Sequence, residues 1–264
     1  QNFTKGQIDD VRIYNRALSE AEVSALYELE KPKTTLETGL VAYYPFNGNA
    51  NDESDNGNDG AVKGATLTID RDGIENKAYA FNSSSDDNIE TGHLNLPDNF
   101  SLSLWFKTDE DGYSDFMGIF GGWHEPRDSL IHNKGFSVAM NQSPKGLLHF
   151  NYSNNSGNSF VSSLAYNDGT WHHLIVKREN DAFSILLDKQ LISDSNSPSS
   201  SSNDFSNTYA IGNWSLTNSR GFGGQLDDVR IYNRALSEAE VTALYELEKP
   251  KTKIEWTKLE YLLD

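Results

Sequence analysis

The 264-residue chain contains no cysteine. That absence excludes disulfides, thiolate zinc sites, iron–sulfur clusters and a cysteine nucleophile. No apolar run approaches the ~18 residues that a membrane-spanning helix needs, so no span is expected. Basic residues are scarce: 22 Lys plus Arg stand against 39 Asp plus Glu, a formal net charge of −17. A chain of that sign repels a phosphate backbone, and nucleic acid is not an expected partner. Acidity of this kind suits calcium binding, solubility at high salt, or both.

What the chain does have is a repeat. Residues 6–33 read GQIDDVRIYNRALSEAEVSALYELEKPK and residues 224–251 read GQLDDVRIYNRALSEAEVTALYELEKPK, differing only at Ile8/Leu226 and Ser24/Thr242. Near-identity over that length points to a tandem array in which one unit's tail precedes one whole unit. The expected organisation is a tail over 1–36, a complete domain over 37–248, and a linker or new segment over 249–264. Neighbouring repeats are expected partners. Within the second copy, Ser237 and Glu240 form a capping box, and Leu236 can staple onto Val241. Val241, Leu244 and Tyr245 share one helical face, which predicts a short amphipathic helix after a strand over 226–232.

Between the copies the pattern is that of strands. Apolar or alternating stretches at 39–46, 78–81, 100–107, 135–140, 147–152, 171–178 and 183–188 are separated by Gly, Asn, Asp and Ser. Loops such as 47–60 and 193–207 are too polar and turn-rich for helix. The fold class is an all-β antiparallel sandwich with a short C-terminal helix.

The stretches YYPFNGNANDESDNGNDG, AYAFNSSSDDNIE, FSLSLWFKT, DGTWHHLIVKR and GFGGQLDDVRIYNRALSEAEVTALY resemble, in order, laminin G-like domains of the concanavalin A-like lectin/glucanase superfamily, with a reach to pentraxins. The resemblance covers roughly 39–246. It implies a jelly roll, a structural calcium, an extracellular or cell-surface setting and a binding rather than catalytic role. Glycoside cleavage needs two positioned carboxyl groups, and no strand carries the alternating acidic pattern of the superfamily's glucanases. The function expected is recognition of a glycan or another surface ligand; the alternative is a structural or adhesive spacer with no small ligand.

Two groups of candidate residues follow. Asp227, on a strand face with Val229 and Ile231, needs a cation or convergent N–H groups, since a bare carboxylate on an apolar face costs several kcal/mol. By the resemblance that cation is calcium, with Asn49 and Asp52 supplying further oxygens; capping of loop N–H groups is the alternative. For the ligand, Trp123, His124 and Arg127 in FGGWHEPRD and Trp214 and Arg220 in IGNWSLTNSRGF lie in loop-like sequence. Trp105 and Trp171 are expected in the core, and the histidines in structural or surface roles. Two equivalent closing segments for one sandwich also raise strand-swapped self-association.

Overall fold

In a computed structural model, the structure describes residues 12–20, 22, 23, 26, 36–111, 116–122, 135–142, 145–152, 159–195, 205–214 and 220–251. The chain divides into two compact units, Gln1–Thr38 and Gly39–Asp264. Among the described residues of the second unit, fifteen strands form two antiparallel sheets. They are β1 (Leu40–Tyr44), β2 (Ala61–Lys63), β3 (Thr66–Thr68), β4 (Ala78–Phe81), β5 (Asn88–Leu94), β6 (Phe100–Lys107), β7 (Phe116–Gly121), β8 (Phe136–Gln142), β9 (Lys145–Tyr152), β10 (Ser159–Ala165), β11 (Trp171–Glu179), β12 (Ala182–Leu187), β13 (Gln190–Ser195), β14 (Asn207–Ile211) and β15 (Gly224–Tyr232). One sheet runs β13-β12-β11-β6-β15-β4-β3, with β1 also paired to β15; the other runs β10-β9-β8-β7-β14-β5-β2.

The alternation in β6 shows how sequence makes the two layers. Phe100, Leu102, Leu104 and Phe106 enter the core between the sheets. There Phe100 meets Phe136 of the facing sheet at 5.0 Å between ring centroids, stacked. The intervening Ser101, Ser103 and Trp105 point the other way and are also buried, because a helix covers that face. This helix, α1 (Glu238–Glu248), starts at Ser237, whose capping box with Glu240 is complete. Ser101 Oγ donates to Arg234 O and accepts from Leu236 N (3.0 and 2.9 Å), fastening the turn before the helix. Val241 and Leu244 are buried, and Tyr245 stacks on Trp105 at 5.5 Å. Trp105 therefore belongs to a second, smaller core between sheet and helix. Trp171 is only half-buried.

Seven further strands lie where the sequence shows no clean alternation. β7 contains two glycines because residues 213 and 214 cross it closely: a Cβ on Gly118 would sit 1.8 Å from Trp214 N, and one on Gly121 1.8 Å from Trp214 O. The first unit repeats the local structure of the α1 start. Arg16 forks onto Glu22 at 2.9 and 2.6 Å, as Arg234 does onto Glu240 at 2.9 and 2.7 Å.

Replacing the fully buried Leu244 by alanine is expected to lower stability by about 2–5 kcal/mol, read from urea unfolding. A loss below 1 kcal/mol would mean that the helix face contributes little.

Candidate functional site

Asp227 does not share a face with Val229 and Ile231. Its register partner on β6 is Trp105, and the pairing shifts between Asp227 and Arg230. Asp228 sits in this bulge with φ 43°. The extra residue turns Asp227, Asp228 and Arg230 toward the helix side while Leu226, Val229 and Ile231 stay in the core. Both carboxylates converge on Arg71, whose Nη1 meets Asp227 and whose Nη2 meets Asp228, while Nε donates to the carbonyl of Glu248. Asp70 holds the loop that presents Arg71, its carboxylate accepting from Asp72 N and Ile74 N at 2.8 Å each. The guanidinium lies 5.2 Å from the Trp105 ring centroid. Arg230 pairs with Glu248 and covers Tyr43, 3.8 Å from its centroid. Tyr43 Oη donates to Asp228 at 2.6 Å, and Trp105 Nε1 to Glu248 at 2.8 Å. Buried His173 meets Ser103 at 2.8 Å, and burial depresses its pKa to about 3.

Burial raises the Asp227 pKa to about 8 in spite of Arg71. For Asp228, burial is outweighed by Arg230 and Arg71, and its pKa falls below the ordinary value. The two aspartates titrate as a pair.

The residues expected to hold calcium do not form a cage. Asp227 is matched by Arg71 and accepts from Asp228 N at 2.8 Å. Asp52 spends both oxygens on backbone donors: Oδ1 accepts from Tyr43 N and Ser54 N, and Oδ2 from Asn58 N, all at 2.9 Å. Asn49 accepts from Asn51 N at 2.8 Å. Among the described residues no group of three or more His, Asp or Glu is placed to hold a metal. These three residues do not fit the ion: a guanidinium compensates Asp227, and N–H capping occupies Asp52 and Asn49.

The second site lies on the outer face of the seven-stranded sheet. Register places Phe116 opposite Asn141, Gly118 and His149 opposite Ala139, and Gly121 and Asn151 opposite Ser137. Directly opposed residues share a face. The Phe116 ring stacks with His149 at 4.8 Å and meets Trp214 at 5.3 Å. Arg220 lies over both Phe116 and Trp214, 5.4 and 5.7 Å from their centroids. No side-chain hydrogen bond or ion pair engages its guanidinium among the described residues. Its carbonyl accepts from Gly118 N at 2.8 Å, fixing the loop to the sheet. Among the described residues, four buried polar atoms around this cluster have no partner: Ser137 Oγ, Asn141 Oδ1, His149 Nδ1 and Asn213 Oδ1. Burial lowers the His149 pKa, so the ring is neutral near pH 7.

Of the ligand residues expected from sequence, this face contains Trp214 and Arg220, but Trp214 is only 5% exposed and forms the floor rather than an exposed platform. Trp123, His124 and Arg127 lie outside the described residues. Phe116, Ser137, Asn141 and His149 were missed. Their signal is the period-two placement of polar or aromatic residues opposite the core positions of β7, β8 and β9. His172 takes a structural place, meeting Asp188 at 2.8 Å and Asp168 at 3.2 Å.

A family model of the concanavalin A-like lectin/glucanases superfamily, Laminin_G_3, matches residues 82–242. The chain belongs to this laminin G-like family. A comparison with curated protein sequences finds no match. Among solved structures, the binding domain of Paraclostridial Mosquitocidal Protein 1 is similar with a TM-score of 0.63 and 18% identity, covering 80% of this chain and 52% of that one. The botulinum neurotoxin serotype D binding domain gives 0.62, 14%, 81% and 53%. Domain 4 of a GH43 extracellular arabinanase from Geobacillus stearothermophilus, in complex with arabinotriose, gives 0.57, 22%, 78% and 97%. The chain thus spans about half the length of the toxin binding domains and nearly all of the arabinanase domain.

Two outcomes are expected at the buried cluster. Arg71→Ala leaves the aspartates without their shared cation and should cost about 3–5 kcal/mol, whereas a chelator should leave the wild-type melting midpoint unchanged. Asp227, with its folded pKa raised above the ordinary 3.8, favours folding at low pH and loses that contribution as pH rises from about 4 through about 8. The stability of Asp227→Asn relative to wild type should therefore improve over that range in urea titrations; a flat difference contradicts the assignment.

Proposed function

We propose that this chain is a non-catalytic glycan-binding module of a secreted or surface protein, with its saccharide site on the outer face of the seven-stranded sheet. The observation that carries this reading is the Arg220 guanidinium set over the Phe116 and Trp214 rings, beside polar atoms of Ser137, Asn141, His149 and Asn213 that have no partner among the described residues. Leaving such groups without partners costs about 1–3 kcal/mol each, and a hydroxyl-rich ligand that reached them would relieve that cost. Arg220 adds five N–H donors over the aromatic rings. The net charge of −17 favours a neutral saccharide over an acidic one. The binding domains of similar fold, one of them complexed with arabinotriose, agree with a recognition role.

Titration with arabinotriose and a glycan array tests the reading. A saccharide that binds wild-type protein should bind His149→Phe, which retains the ring packing but loses Nδ1, about 3–10-fold more weakly with the melting midpoint at or above that of wild type. No glycan binding above a heat-denatured control would sink the proposal and favour a spacer. Release of reducing ends from bound glycans would overturn its non-catalytic part.

A further inference from the structure

The repeated segment leads beyond glycan recognition. In the second unit, β15 and α1 fill one slot: β15 lies between β6 and β4, pairs also with β1, and leads to the helix that covers the outer face. We propose that residues 6–33 are a second closing element, able to replace residues 224–251 in this slot, either in the same chain or in a second copy.

The slot is selective, and the first copy meets its requirements. Asp9, Asp10, Arg12, Tyr27 and Glu30 repeat Asp227, Asp228, Arg230, Tyr245 and Glu248, the residues that engage Arg71, Tyr43, Trp105 and His173. Of the two differences, Ile8 conserves the volume of Leu226, a core position, and Ser24 stands for the exposed Thr242. The turn into the helix is already formed in the first copy, where Ser19 N donates to Glu22 at 2.9 Å, as Ser237 N does to Glu240. Two of its described apolar residues, however, lack the burial of their counterparts. Ile13 is 94% exposed while Ile231 is 1%, and Val23 is 53% exposed while Val241 is 2%.

Chain length permits the exchange within one molecule. Tyr232, the counterpart of Tyr14, pairs with Leu40, and the end of α1 lies at Arg71 beside Asp227. The five steps from residue 227 to residue 232 span about 17 Å of strand, and residues 31–39 reach about 30 Å. Closure by the first copy in the same chain yields a circularly permuted sandwich; closure in a second copy yields an exchanged dimer.

The full chain supports a direct test with three variants: Ile231→Asp, Ile13→Asp and the double substitution. An aspartate at the 1%-exposed position 231 disables the second copy as a closing element. The first copy then takes the slot, so Ile231→Asp should keep a cooperative thermal transition a few degrees below wild type. The double variant should lose that transition, and Ile13→Asp alone should melt with wild type. Light scattering on Ile231→Asp separates the two routes, a monomer for exchange within the chain and a dimer for exchange between chains. Equal behaviour of Ile231→Asp and the double variant, whether both are folded or both unfolded, overturns the proposal.

Discussion

A single guanidinium ties the sheet, the helix and the loop before β4 together. Arg71 comes from a turn held by Asp70, reaches two adjacent aspartates on β15 and the last helical carbonyl, and rests on the indole of Trp105. Each partner depends on it for a different reason. The aspartates need its charge in a dry setting, the helix end needs a donor for a carbonyl with no intrahelical partner, and the indole gains a cation over its face. The cluster is costly to assemble and more costly to break.

Much of this architecture is visible in the sequence because it rests on local periodicity. Strand β6 announces itself by alternation, and the helix by its capping box and apolar stripe. The bulge at Asp228 does not, since a positive φ at an aspartate leaves no mark in a pattern of residue types. That one bulge moves Asp227 to the opposite face from the one its spacing implies, and with it the nature of the compensating cation. Arg71 is equally hidden: it lies 156 residues from Asp227 in a stretch that reads as an ordinary turn. The sandwich was legible; the partner of its most demanding carboxylate was not.

The outer face of the seven-stranded sheet shows a different limit. Trp214 and Arg220 stand out because tryptophan and arginine are conspicuous in a loop. Ser137, Asn141 and His149 belong to strands and attract notice only once register sets them beside Phe116. Fold identity places this chain among laminin G-like domains, but a jelly roll hosts many ligands.

The position of β15 has a consequence for biosynthesis. It is the last of the described strands yet lies inside its sheet, between β6 and β4. A ribosome delivers every other strand before it, so the nascent sheet waits with a central gap and two open edges. Such an intermediate exposes apolar surface while the contacts that close it are still inside the exit tunnel. Residues 6–33, a near-duplicate of the missing piece, are made before it.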